Sequence, residues 1–520
     1  MISILRCWSL LMISLIAATS AEAMPTNVLF IYVEDLGYYT SERAAREPNS
    51  QIAGLHTPNL DALASSSLIF TRAFCGQSVC SPSKSAIYSG LLPHANGIWR
   101  NCLNSHPKLG FPENWIPLPN PLTPQNDPTA LGAGGMHEDL PTLIQLLKAK
   151  GVYCALSGKL HQQPAHNFPY DAFLKDDDLE GVIKFAAGHP WLFWCNPGDT
   201  HAPFWKHVSS KLENPKDRNS KPKDVDPDTI KMLPWLPDTS ASRIDVAQYY
   251  SCVRNIDEFV AKMLAKLEAS GEASRTLVVF TGDHGIGVWR GKTSIYPAGT
   301  QVPFFVKGPE VKTGRVLNTP ISQMDLNPTF LEIFGLKPLP NCQGKSLWPV
   351  LSGQQDIISE RNTIMTETNN SLSSAPKGLD QTAARAVCDG RFYYIGNVIQ
   401  DTFKGPIEKA LFIGSGNGEY GDPGQQYGID LHDDAIRQKD KQPIPYELLR
   451  QLCMNDAPKE ELYDLDADPW AVKNLINDPT YIETVERMRN EFTQWRTFSH
   501  DSDQHPSKIP RRTMAKADQQ

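Results

Sequence analysis

Three short stretches carry residue types that could do chemistry together. Glu34-Asp35 follows the apolar run Val28–Val33, and Asp283-His284 follows the apolar run Thr276–Phe280. In open α/β sheets, ligands bind beyond the carboxyl ends of strands. Two such ends side by side would gather three carboxylates and an imidazole. Mostly oxygen donors suit a hard cation, Ca²⁺ with Mg²⁺ as the alternative, better than zinc. The same pairs could instead cap the turns that follow them. The third stretch is Cys80-Ser81-Pro82-Ser83-Lys84-Ser85-Ala86-Ile87-Tyr88-Ser89-Gly90. Ser81 as a cap, Pro82 in the first turn and Gly90 as the stop predict a two-turn helix. Cys80 then sits at a helix N-terminus, where backbone N–H groups and the helix dipole favour an anion. A buried or disulfide-bonded cysteine is the other reading of that position.

The elements that must position these residues alternate along the chain. Val28–Val33, Val152–Leu156, Trp191–Trp194, Thr276–Phe280 and Pro303–Val306 read as strands, the continuous apolar runs among them as strands buried on both faces. Thr57 and Pro58 open one helix, Leu140–Lys150 forms a second, and Ile256 to Leu267 at helical spacing forms a third, closed by Gly271. This alternation predicts a large, mostly parallel sheet flanked by helices. The segments 106–135 and 206–239 read as long surface loops able to wall a pocket. After about residue 375 the texture changes: a hairpin across Asp389-Gly390 and a helix over 481–496 predict a smaller α+β unit with an antiparallel sheet.

The whole-chain balance excludes several classes. The 520 residues are 40% hydrophobic and 21% charged, ordinary for a globular protein. A net charge of −8 argues against nucleic acid as a partner. Arg6, the apolar run 8–18 and Ala21-Glu22-Ala23 predict a removed secretory peptide over 1–23, with an uncleaved anchor as the alternative. The mature chain has no run long enough to span a membrane, and an exported location follows, whether periplasmic, extracellular or lysosome-like. Nine cysteines then remain, an odd number. The predicted organisation is 1–23 signal, 24–375 catalytic domain, 376–500 C-terminal subdomain and 501–520 loose tail.

Cys80-Ser81-Pro82-Ser83-Lys84 followed by Ser89-Gly90 resembles the type I sulfatase signature, Cys-x-Pro-x-Arg followed by Thr-Gly. Five further elements are similar and occur in the family's order: Thr57–Asp61, Gly158-Lys159-Leu160-His161, His201-Ala202-Pro203-Phe204, Gly282–Gly285 with Gly291-Lys292, and Leu462–Leu465 through Asn474-Leu475. Pro93, His94, Asn96 and Gly97, Tyr296 to Thr300, and the ending Trp495 with His500-Asp501 resemble the N-sulfoglucosamine sulfohydrolase (heparan sulfamidase) group. The resemblance implies an alkaline-phosphatase-like sandwich and hydrolysis of sulfate esters or sulfamates on sulfated carbohydrates. It implies that a maturation enzyme converts Cys80 to formylglycine, whose hydrate attacks sulfur. It further implies that Glu34, Asp35, Asp283 and His284 hold Ca²⁺ together with residue 80. Lys159 and Lys292 would neutralise the sulfuryl oxygens, His201 would protonate the leaving atom, and His161 would deprotonate the hydrate; imidazole suits both proton tasks. Formylglycine would use one of the nine thiols and leave eight that could pair.

Three departures from the family pattern matter. Lys84 replaces an arginine that maturation reads and that orients the nucleophile region, and lysine lacks the guanidinium fork. Glu34 stands for aspartate, and His284 stands where the sulfamidase group tends to have asparagine. Two alternatives therefore stay open: a phosphodiesterase or phosphonate hydrolase of the same superfamily, and an impaired pseudo-sulfatase that binds sulfated glycans.

Overall fold

The computed structural model describes residues 24–40, 55–102, 135–369, 383–399, 458–502 and 506, apart from isolated positions between 218 and 360. The predicted signal, most of the 106–135 loop, the 375/376 boundary, Cys453 and nearly all of the tail lie outside the described residues.

Fourteen strands are described: β1 (Asn27–Val33), β2 (Leu68–Phe70), β3 (Ala73–Phe74), β4 (Tyr153–Ser157), β5 (Ala172–Leu174), β6 (Trp191–Cys195), β7 (Thr276–Gly282), β8 (Phe304–Lys307), β9 (Val316–Leu317), β10 (Ile321–Ser322), β11 (Ile364–Thr368), β12 (Ala383–Cys388), β13 (Phe392–Ile399) and β14 (Glu460–Asp464). The large sheet has the order β5-β4-β6-β1-β7-β8-β2-β9. Its first five strands pair in parallel, while β8 runs antiparallel to both β7 and β2. The expected α/β sandwich with a mostly parallel sheet is therefore present.

Side-chain alternation explains why both faces must be covered. Leu29, Ile31 and Val33 pack on one face with the helix Ser240–Ala269, through residues such as Val246, Val253 and Val260. Val28, Phe30 and Tyr32 pack on the other face, against Ile87, Leu143, Leu147 and Phe330 from three different helices. Strand side chains alternate at period 2, so one apolar run serves two cores.

β11, β12, β13 and β14 form a separate, wholly antiparallel sheet. Its hairpin turns at Asp389-Gly390, where Gly390 adopts φ +101°, as the sequence predicted. The helix Ile482–Phe498 covers one face through Val485, Met488 and Phe492. The other face packs on Phe74 and Ile295 of the large unit.

Local expectations shift at three places. The helix starting near Thr57 runs Pro58–Ser65, but Thr57 makes no side-chain cap bond. The Asp257 carboxylate takes the free backbone N–H groups of Asn59 (2.9 Å) and Leu60 (2.7 Å) instead. The third helix begins at Ser240, well before Ile256, and its buried face extends back through Val253, Tyr250, Tyr249 and Val246. Finally, the eight described cysteines are all unpaired, so the expectation of pairing thiols fails among them. Seven are buried, and a small apolar thiol fits such a site without a bridge.

Candidate active site

β1 and β7 are in parallel register, with Val33 opposite Gly282. Their ends therefore deliver Glu34-Asp35 and Asp283-His284 to one edge of the sheet. The Asp283 carboxylate ties the two ends together: Oδ1 accepts from Asp35 N (2.7 Å) and His284 N (2.8 Å). Gly285 must be glycine here, since a Cβ would stand 1.8 Å from the Ala298 carbonyl. On the other side of β1, β6 leads into Asn196, Thr200 and His201, and β4 leads into Lys159 and His161. Lys292 comes from the loop between β7 and β8.

Cys80 is the first residue of the helix Cys80–Ser89, and Gly90 ends it with φ +69°. Val79 rather than Ser81 occupies the cap position. Ser81 is used differently: its Oγ accepts from Cys102 N (3.0 Å), and its N–H donates to Asn101 Oδ1 (3.1 Å). The Cys80 side chain is sealed from solvent at 0% exposure.

The predicted side chains other than Lys84 converge here. Cys80 Sγ lies 3.5 Å from His284 Nε2 and 3.7 Å from Lys159 Nζ. His284 Nε2 is also 3.5 Å from Asp35 Oδ1 and from Asp283 Oδ2, while Nδ1 donates to Gly285 O (2.9 Å). Lys292 Nζ contacts Asp35 Oδ1 (3.1 Å) and His201 Nε2 (3.2 Å). His201 Nδ1 donates to Ala202 O (2.7 Å), which leaves Nε2 to accept from Lys292. Lys84 stands apart, one turn down the helix, paired with Glu34 Oε1 at 2.5 Å. Asp35 (φ 52°), His161 (φ 52°), Arg290 (φ 59°) and Thr293 (φ 70°) are held in the left-handed region around this site. Each such non-glycine residue costs on the order of 1–3 kcal/mol, which the surrounding contacts must offset.

The electrostatics are those of a dry, crowded charge cluster. Burial would raise the Glu34 carboxyl, but the Lys159 and Lys84 ammonium groups outweigh it and hold that carboxyl well below the usual range. Burial would also raise the Cys80 thiol, yet Lys159 and Lys292 pull it well below its ordinary value, with the His161 and His201 rings as hydrogen-bonding neighbours. Asp283 is pushed far up, by burial and by Glu34, Cys80 and Asp35. Burial opposes charge on His284, but Asp283 and Asp35 lift it to about 9. His161 is lowered, first by burial and then by Lys159, so a neutral imidazole stands beside residue 80.

The donor chemistry fits a divalent cation. Glu34, Asp35, Cys80 and His201 offer ligand atoms within 4.8 Å of one another, and so do Asp35, Cys80, Asp283 and His284. Asp283 Oδ2 is buried and accepts no hydrogen bond. His284 Nε2 stands 3.5 Å from it without a hydrogen bond, and a bound cation would give this oxygen a direct partner.

Residues 26–177 and 163–336 match the sequence profile of the sulfatase family, more than half of the chain. This chain belongs to the sulfatase family. It is 25% identical to human N-sulphoglucosamine sulphohydrolase over 92% of this chain and 91% of that protein. It is equally 25% identical to an ulvan-active sulfatase of Formosa agariphila, over 93% and 82% of the two chains. A solved 2-O GAG sulfatase shares the fold, with a TM-score of 0.60 at 18% identity over 92% and 93%. As a sulfatase, the protein is a sulfuric ester hydrolase with an alkaline-phosphatase-like fold.

Several supporting residues of the sulfatase site carry no sequence signal. Asn196 Nδ2 donates to Glu34 Oε1 (2.8 Å), Thr200 Oγ1 to Glu34 O (2.5 Å) and Tyr249 OH to Asp35 O (2.9 Å). Gln323 Nε2 donates to Gly282 O, and Ser83 Oγ to Asp283 O (2.7 Å). Asn196 follows a strand end, and Thr200 stands directly before His201 in the element that resembles the family's, the two hints that point to them.

Proposed function

We propose that the protein removes sulfate from sulfated carbohydrates, as an ester or as a sulfamate on glucosamine, after Cys80 has been converted to formylglycine. The observation that carries this reading is the placement of Cys80 Sγ at a helix N-terminus, 3.5 Å from His284 and 3.7 Å from Lys159. Glu34, Asp35, Asp283 and His284, with residue 80, would hold Ca²⁺, or Mg²⁺ as the alternative. Such a cation supplies charge stabilisation for the sulfuryl oxygens and lowers the cost of an oxygen nucleophile at residue 80.

The chain's own groups do the rest. Lys159 and Lys292 bind the sulfuryl oxygens and are fixed by Glu34 and Asp35, so no reorganisation is needed as charge shifts. His201 Nε2 accepts from the Lys292 ammonium, and the proton it takes from that ammonium is the one it would pass to the leaving oxygen or nitrogen. His161, held neutral, accepts a proton from the residue-80 oxygen and so assists sulfate release. The names of the human and Formosa relatives, which specify N-sulphoglucosamine and ulvan, support a sulfated sugar as the substrate.

Export through residues 1–23, a maturation enzyme as partner, and the division into 24–375, 376–500 and 501–520 belong to the same proposal. Among the described residues no helix is long and apolar enough to cross a membrane.

The test is to digest the protein from its native host and weigh the peptide containing residue 80, then to compare turnover of aryl sulfate, sulfamate and phosphodiester substrates. An aldehyde mass with sulfate or sulfamate turnover is expected. An intact thiol throughout, or a preference for phosphodiesters, overturns the proposal.

A further inference from the structure

Lys84 shares a helix with Cys80, yet its ammonium makes its bonds elsewhere. Nζ lies 2.5 Å from Glu34 Oε1 and 3.4 Å from the Lys159 carbonyl, with the Tyr32 ring centroid 5.8 Å away. Glu34 is engaged at both oxygens. Oε1 also accepts from Asn196, and Oε2 is 2.5 Å from Lys159 Nζ. The Lys84 and Glu34 side chains are only 1% and 2% exposed. We infer that Lys84 is a positioning residue that acts through Glu34, the two side chains forming a strut of matched length that sets where the carboxylate, and through it the Lys159 ammonium, stands beside residue 80.

Covalent geometry makes this specific. Glutamate carries its carboxylate one bond further from the backbone than aspartate does, and lysine ends one bond short of an arginine terminal nitrogen. The two departures from the sulfatase pattern thus cancel in length. Exchanging only one partner breaks the match. Glu34→Asp withdraws the carboxylate and leaves a buried ammonium unpaired, which is costly. Lys84→Arg drives a longer, planar fork into a carboxylate already in close contact. Exchanging both restores the span.

The kinetic and calorimetric arms of the test rest on the proposed function, but the urea arm does not. Full-length wild type, Glu34→Asp, Lys84→Arg and the double variant are compared in three measurements. These are the urea midpoint in chelator, Ca²⁺ binding by calorimetry, and kcat/KM on a sulfate substrate. Each single variant should lose about 10- to 100-fold in kcat/KM, mostly in kcat, and show a lower urea midpoint. The double variant should return to within about threefold of wild type, a coupling of the size seen for contacting residues. If a single variant does not fold, recovery of folding in the double is the reading. Additive losses, or a double variant that is no better than its worse parent, overturn the strut. A chain without turnover on any sulfate would sink the proposed function, while the midpoints would still decide the strut.

Discussion

At the residue scale, the site depends on cations fixed before substrate arrives. Lys292 touches both Asp35 and His201. Replacing it with alanine should lower kcat by about 10²- to 10³-fold, the usual loss for one preorganised stabilising group. KM should change far less, and steady-state kinetics on a sulfate substrate would show it. A defect confined to KM would place Lys292 outside the reacting centre. Asp283→Asn removes a buried carboxylate that faces the proposed cation, so calorimetry should find Ca²⁺ binding weakened by at least about tenfold, in the range of single-contact losses. Unchanged binding would remove Asp283 from the ligand set. Glu34-Asp35 and Asp283-His284 were legible as acidic pairs at the ends of apolar runs, whereas Lys159, His161, His201 and Lys292 were reached only through the family resemblance. Asn196, Tyr249 and Gln323 were not legible, since their role comes only from how β6, the helix Ser240–Ala269 and the turn at Gln323 pack around the ends of β1 and β7. The spare thiols misled for a physical reason: an odd count says nothing about burial, and these sulfurs sit singly in apolar packing.

At the element scale, one buried network joins the short helix Pro93–Asn96 to β11, β12 and the end of the helix Ile482–Phe498. His94 Nδ1 is 2.5 Å from Glu367 Oε2, and Nε2 is 3.1 Å from the Ser499 carbonyl. Both neighbours only accept, so both ring nitrogens must donate and His94 is an imidazolium. Arg385 is bidentate to Asp501 (2.9 and 3.0 Å) and lies 3.8 Å from Glu367; Arg496 reaches Asp501 at 2.8 Å. Burial opposes charge on His94, but Glu367 outweighs it and raises the imidazole above its ordinary value. Glu367 is lowered despite burial, by His94 and Arg385, and Asp501 falls to about 2, held by Arg385 and His94. The signs then differ. The His94 contribution is complete below its unfolded value of about 6.5 and is lost as pH rises through its raised folded value. The carboxylate contributions are complete above about 4 and are lost as pH falls toward 2. Urea midpoints should therefore plateau between about pH 4 and 6.5 and decline on the alkaline side. His94→Gln should make that alkaline decline shallower, the part left coming from groups such as the raised His284; parallel profiles for the two proteins would refute the imidazolium. Arg385→Ala leaves two buried carboxylates facing each other and should cost about 3–5 kcal/mol by the same measurement. None of this network was readable from spacing, although the hairpin and helix that carry it were. The nucleophile helix was foreseen to within one residue, the error arising because Ser81 binds across to the 101–102 segment instead of capping its own helix.

At the scale of the whole molecule, parallel pairing of β1 with β6 and β7 brings residues from positions 34, 159, 201 and 283 to one edge. A ligand bound there ties distant parts of the chain together. Ca²⁺ at about 100 times its dissociation constant should stabilise the fold by about 2.7 kcal/mol, with chelator reversing the gain in thermal unfolding. No shift at saturating Ca²⁺ would argue that the acidic edge holds no such ion. The parallel layers were legible because strands buried on both faces have no polar alternation to confuse them. The antiparallel strand β8 was not distinguishable from them, since direction leaves no trace in a run of four apolar residues. The sealed position of Cys80 also imposes an order of events. A maturation enzyme needs more room around that sulfur than a sulfuryl group does, so under the proposed function the conversion of buried Cys80 would precede the pairing of β7 with β1. Translation at about 5–20 residues per second leaves roughly 10–40 s between the appearance of residue 80 and that of β7. Within that interval Asp283, His284 and Lys292 do not yet exist; afterwards β7 pairs with β1 and the pocket forms around residue 80.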